Sequence, residues 1–191
     1  TLDKRNSAFQ PSSGFYSSWY QQLPIVSENQ TIVNGYIITG YKELVDDMII
    51  STGIYTRAVN SLTNDDVRVS RRLYVPSSRL RGFESGKVGP KDGDDHVGGN
   101  YVVTFNTSST IPYVLQTQEN MDLKLFFDAG NVWGVDYSSS LDDSDTIRSS
   151  TGVALEITTP IGPLSFSFAQ VLSKASTDKT ESFKFQLGTT F

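Results

Sequence analysis

The sequence predicts an all-β protein, an antiparallel meander in which each strand pairs with the one before it. Three observations carry this reading. Segments of about ten residues alternate large apolar with small or polar residues along the chain, and a period of two marks a strand with one apolar and one polar face. No segment of ten or more residues has the 3.6-residue period of an amphipathic helix. Most links between the alternating segments are short, which joins neighbours antiparallel.

Eight segments qualify, at 14–25, 31–42, 48–59, 100–112, 121–133, 147–159, 162–173 and 181–191. In 121–133, Lys124 and Asp128 share a face opposite Leu125 and Phe127. In 147–159, Val153, Leu155 and Ile157 alternate with Ala154, Glu156 and Thr158. In 162–173, Leu164, Phe166 and Phe168 alternate with Ser165, Ser167 and Ala169. The last segment sets Phe183, Phe185, Leu187 and Phe191 against Lys184, Gln186, Gly188 and Thr190. The turn Pro160-Ile161-Gly162-Pro163 combines a fixed φ with a permissive one. The link 60–99 is far longer than the others.

The 191 residues include no Cys and carry a net charge of -5, with 37% hydrophobic, 12% aromatic and 19% charged residues. Abundant aromatics and modest charge exclude a disordered chain. No apolar run reaches the ~18–20 residues of a spanning helix, and a disulfide scaffold is impossible. Scattered Lys and Arg on an acidic background argue against nucleic acid. The chain starts at Thr1 without a signal-peptide pattern, so the expectation is a processed chain or a fragment.

Alternation alone does not decide whether the apolar face points into a soluble core or out to lipid. Two features favour an outer-membrane barrel. Segments of about 9–11 residues match a tilted bilayer span, whereas soluble strands are mostly about 5–6. Aromatics also sit near segment ends, at Trp19, Tyr20, Tyr41, Tyr101, Tyr113, Trp133 and Phe191, as interfacial girdles do.

Enzymatic constellations are missing. His96 is the single histidine, and its Gly- and Asp-rich loop implies a solvent-facing side chain. No Ser stands in a nucleophile elbow. Asp92, Asp94 and Asp95 start like a calcium loop, but Val97 and Val103 occupy the positions that need Gly and Glu. Asp142, Asp143 and Asp145 read as a solvated acidic link. The expectation is no enzyme, no metal and no cofactor. The link 60–99 differs, because forty structureless residues are improbable in a compact domain unless they do work. Arg71, Arg72, Arg79 and Arg81 cluster there. A loop folded into a lumen needs a wall carboxylate for its Arg, and Asp128 is the best candidate.

Four motifs, in order, resemble the C-terminal half of the barrel of the BamA family, bacterial outer-membrane assembly factors of the surface-antigen, POTRA-associated superfamily. Asp3-Lys4-Arg5 with Phe9, Pro11 and Gly14 resembles a turn between middle strands. Leu80-Arg81-Gly82-Phe83 with Gly89-Pro90 resembles the sixth extracellular loop, and Phe127-Asp128-Ala129-Gly130-Asn131-Val132-Trp133 the thirteenth strand. Arg148, Gly152 and the Pro160–Leu164 turn precede an ending, Phe183 to Phe191, that resembles the family's β-signal.

The resemblance implies that residues 1–191 are the second half of a sixteen-stranded barrel, without its first half and the POTRA domains. It implies a lock formed by Arg81, Gly82 and Phe83 with Asp128; a second acid usually lies on the preceding strand, at the position aligned with Ser108. It implies a closing strand defined by Phe183, Phe185, Gly188 and Phe191. The implied activity is folding and insertion of barrels into the bacterial outer membrane by strand templating at a lateral seam, without covalent chemistry. Implied partners are outer-membrane lipid, unfolded clients and periplasmic lipoproteins. A translocation-assembly or two-partner secretion relative remains an alternative, as does a passive small pore.

Overall fold

The computed structural model describes residues 1–8, 10–24, 30–63, 65–112, 114, 120–141, 146–160 and 162–188. Their backbone forms β1 (Leu2–Asp3), β2 (Ser13–Gln22), β3 (Thr31–Val45), β4 (Met48–Ser61), β5 (Lys91–Asp92), β6 (Asp95–His96), β7 (Tyr101–Thr110), β8 (Met121–Trp133), β9 (Arg148–Thr159), β10 (Gly162–Ser173) and β11 (Phe183–Leu187). Nine of these make one sheet in the order β1-β2-β3-β4-β7-β8-β9-β10-β11, while β5 and β6 pair separately as a hairpin. Every pairing is antiparallel. The sheet is therefore the sequential meander that short links dictate. Among the described residues there is no α-helix.

Each of the eight expected segments contains a strand, and β1 adds a two-residue strand paired with β2. The first strand ends at Gln22 rather than 25, and the last runs over Phe183–Leu187 among the described residues. The long link is less irregular than its composition implies. It holds the β5–β6 hairpin, a short 3-10 turn at Val69–Arg71, and a bridge that pairs Leu73 with Gly99.

The faces of the sheet are inverted relative to a soluble domain. Trp19, Ile54, Phe105, Leu125, Phe168, Phe183, Phe185 and Leu187 are exposed, while Thr104, Asp128, Ser150 and Ser167 are buried. Large apolar groups facing outward on consecutive strands form one continuous surface, which a water-soluble chain does not tolerate. A lipid-facing barrel wall has this pattern. The wall strands β2–β4 and β7–β10 are 10–15 residues long, enough for a tilted span.

The buried core lies between the polar face of the sheet and the long link. Val59, Val102 and Val132 from the wall meet Val67, Leu73, Val75, Leu80, Phe83 and Val88 from the link. Tyr20 also packs against this cluster and Tyr41 lines the cavity beneath it, so neither joins an aromatic girdle. Trp19, on the opposite face from Tyr20, and the outward pair Tyr101–Trp133, with ring centroids 5.8 Å apart, fit that role. Tyr113 and Phe191 lie outside the described residues.

Among the described residues β11 pairs with β10 and with no other strand, and β1 pairs with β2 alone. The strands thus do not close into the small ring of a passive eight-stranded pore.

Placing Arg at Phe185 is expected to cost ~2–4 kcal/mol if this position lies near the bilayer midplane and ~0–1 near an interface. Equilibrium unfolding in lipid vesicles measures this. No change at Phe185, together with destabilisation from an apolar residue at Gln186, would assign the faces the other way round.

Candidate functional site

The site is the contact between the long link and the inward face of β7–β11. Asp128 is central to it. The register sets Asn106 of β7 directly opposite Asp128, with Ser150 of β9 on its other side. Arg81 grips the carboxylate with Nε at 2.7 Å from one oxygen and Nη2 at 2.8 Å from the other, and its backbone N–H donates at 3.1 Å. Asn106 Nδ2 donates a further bond at 2.8 Å. The Asp128 side chain is wholly enclosed, and only 14% of the Arg81 side chain is exposed. A planar guanidinium bound through two parallel bonds is the strong form of such a pair. Its flat face rests on the Phe126 ring, 3.6 Å from the centroid, in cation–π contact.

Gly82 and Phe83 complete the docking. Gly82 has φ +91°, and a Cβ there would come within 3.0 Å of the Ala169 side chain. A positive φ and this close approach to the wall both call for glycine. Phe83 is 2% exposed. Its backbone bridges Thr180, and its carbonyl accepts a bond from Lys184 of β11. Ser150 Oγ donates to the Arg81 carbonyl, and Asn106 Nδ2 to that of Arg79.

Ser108 is not part of this cluster. Its hydroxyl bonds Ser51, and it faces Phe126 in the register. The position opposite Asp128 belongs to Asn106, which supplies a neutral donor. The two residues share a face of β7, and Ser108 lies two positions away from the ion pair along it.

Two further ion pairs hold the same loops, one with a partly exposed carboxylate and one fully buried, and the sequence reading contained neither. Arg72 donates to Asp136 beyond β8; Asn100 Nδ2 and the backbone N–H of Val67 donate to the same carboxylate. Burial pushes the Asp136 carboxyl up, but these donors and the Arg72 charge outweigh it and hold it below the ordinary carboxylate range. Arg148 at the start of β9 grips Asp178 in the link to β11.

His96 is buried rather than solvent-facing. Its Nε2 lies 3.2 Å from the Thr177 carbonyl, so that nitrogen carries the proton. Nδ1 is buried with no hydrogen-bond partner among the described residues. Burial lowers its pKa below the ordinary 6.5; Lys87 and Lys91 act in the same direction, and the Thr177 bond and Asp178 act against it. Asp142, Asp143 and Asp145 lie outside the described residues.

At the end of the sheet, Gly188 has φ +84°, and its N–H bonds the Pro163 carbonyl at 2.9 Å. The β10–β11 register stops one position earlier, at Leu187. Phe183 and Phe185 project outward against Phe168 and Phe166 at 5.0 and 5.1 Å.

The whole chain, residues 1–191, matches the Omp85 superfamily domain. It is similar to the outer membrane protein assembly factor BamA of Neorickettsia risticii, with 25% identity over all of this chain and 26% of that protein. BamA of Neisseria meningitidis is 32% identical over 59% of this chain and 17% of that protein. The sorting assembly machinery 50 kDa subunit of Saccharomyces cerevisiae is 26% identical over all of this chain and 41% of that protein. The chain therefore spans well under half of these relatives. Among solved structures, BamA from Haemophilus ducreyi lacking POTRA domains 1–3 superposes with a TM-score of 0.85 at 28% identity, covering 96% of this chain and 40% of that one.

Removing either partner of the central pair leaves the other buried and unmatched, at a cost of ~3–5 kcal/mol for a dry pair. Arg81→Ala and Asp128→Ala are each expected to cost that much, and the double variant little more than either. Unfolding in lipid checks this; strictly additive losses would mean that the residues are not coupled. A second expectation concerns pH. His96 is neutral when folded, so its contribution is present above about pH 6.5 and is lost as pH falls through its lower folded pKa. Amide exchange at 175–181, corrected for intrinsic rates, is expected to quicken over that window. His96→Gln should abolish the pH dependence; the same profile with and without His96 would contradict the assignment.

Proposed function

The chain belongs to the Omp85 superfamily, and from that premise we propose that it is the C-terminal half of the transmembrane barrel of an outer-membrane protein assembly factor. The long link then corresponds to the large extracellular loop, with the first half of the barrel and the POTRA domains contributed by other parts of the whole protein. Its location is the bacterial outer membrane.

The observation that carries this reading is β11. It is a short strand with only five register pairs to β10, and a glycine with positive φ follows it directly. A strand held by so short a ladder can exchange its outer pairing for an incoming strand and template it. Weak pairing makes the edge exchangeable, and the outward Phe and Leu side chains keep it in lipid. Folding of a client barrel then proceeds by hydrogen-bond transfer, with no bond made or broken and no nucleotide. A wall of limited apolar height also lowers the cost of thinning the bilayer beside it. The names of the relatives support the same activity. Clients would be unfolded outer-membrane proteins, and periplasmic lipoproteins are the expected helpers.

The test uses the full-length protein in lipid vesicles with an unfolded barrel client. A photoreactive residue at Gln186 on β11 is expected to capture the client during insertion, while one at Val103 in the middle of the sheet is not. Client insertion that proceeds without capture at Gln186, or equal capture at Val103, would contradict templating at this edge.

A further inference from the structure

We infer that Arg148 and Asp178 form a second clamp, distinct from the Arg81–Asp128 lock, that positions β11 by fixing the link that leads into it. The functional part of this inference rests on the reading of β11 as the templating edge.

The clamp joins three separate segments at one carboxylate. Arg148, at the first position of β9, donates from Nε at 2.9 Å and from Nη2 at 3.2 Å to the two Asp178 oxygens. Asp178 also accepts the backbone N–H of Gly89 in the long loop at 3.2 Å and that of Ala175 in its own link at 2.6 Å. Arg148 spends Nη1 on Asn131 Oδ1 and the Thr146 carbonyl. Both side chains of the pair are fully enclosed. Apolar residues often serve stability as well as a buried ion pair does, whereas directional bonds to fixed partners define a geometry. At this position the geometry defined is that of the β10–β11 link.

Backbone bonds extend the clamp toward β11. Glu84 N–H donates to the Lys179 carbonyl, Lys179 N–H to that of Lys87, and Glu181 N–H to that of Gly82, each at 3.0 Å. Phe83 bridges Thr180 between them. The link and the loop thus form a small two-stranded unit that runs directly into Phe183. β11 has only five register pairs with β10, so its loop end is fixed by this unit as well as by its own ladder. The opposite end, at Gly188, has no counterpart to the clamp among the described residues. The arrangement makes β11 a strand pinned at one end, and Arg148 and Asp178 are its positioning residues.

Hydrogen exchange by mass spectrometry on the full-length protein in nanodiscs tests this, because exchange reports local opening. Asp178→Asn is expected to speed exchange across 179–187 by about tenfold or more and to leave 79–83 and β8 unchanged. If that variant does not fold, Arg148→Met combined with Asp178→Leu removes both charges together and leaves none buried alone; the same selective loosening of 179–187 is expected. Unchanged exchange at 179–187, or an equal rise at 79–83, would overturn the inference. Client insertion measured on the same samples separates the two ideas. Loosening of β11 with insertion unaltered upholds the clamp and counts against templating by β11. Impaired insertion with exchange unaltered overturns the clamp and leaves templating intact.

Discussion

Asp128 places a negative charge in the middle of a strand, on the wall of the sheet, with no exposure to water. A carboxylate there is tolerable only when its oxygens are matched by donors held in place. The long loop supplies three of them from one residue, through the side chain and backbone N–H of Arg81, and the neighbouring strand supplies the fourth through Asn106. The rest of the concave face follows from this need. To bring Arg81 to the wall, the chain must turn at Gly82, bury Leu80 and Phe83, and pack its remaining apolar residues against Val59, Val102 and Val132. The core of the molecule is thus a loop folded onto a sheet.

The three ion pairs between loop, link and wall share a chemical plan. Each joins an Arg to an Asp and adds an Asn: Asn106 beside Arg81–Asp128, Asn100 beside Arg72–Asp136, and Asn131 beside Arg148–Asp178. Each pair leaves hydrogen-bonding capacity over on one partner, and a neutral amide can use it as donor or acceptor without adding charge. Two of the Asn donate to the carboxylate and the third accepts from the guanidinium. The pairs also divide the work. One holds the loop to the wall, one holds its start near the end of β8, and one holds the link that leads into β11.

Much of the fold was legible because a two-residue period leaves its mark in the sequence whether lipid or a core faces the apolar side. Inversion of the faces was legible from strand length, and from aromatics near strand ends such as Trp19, Tyr101 and Trp133. Parity should have excluded Tyr20 from the girdle, since it neighbours Trp19 and adjacent residues point to opposite faces. That Asn106 would face Asp128 was not legible, because residues two apart share a face and only the register identifies the partner. Arg148–Asp178 joins a strand to a distant link, so no local pattern encodes it. An inward Arg on a strand, with Asp178 as the acid in the link 174–180, was the available signal. His96 was misjudged for a related reason: its hairpin is polar in composition, yet it packs beneath the β10–β11 link.

The most direct measurement of the central claim is limited trypsin digestion of the folded full-length protein in detergent, comparing the natural chain with Asp128→Asn. The loop carries cleavage sites at Arg79, Arg81 and Lys87, all protected if the loop lies on the wall. The account predicts no cleavage after Arg79 and Arg81 in the natural protein and rapid cleavage there in the variant, with the sheet still folded and cleavage at the exposed Arg68 and Arg71 alike in both. Equal cleavage in both proteins would show that Asp128 does not hold the loop.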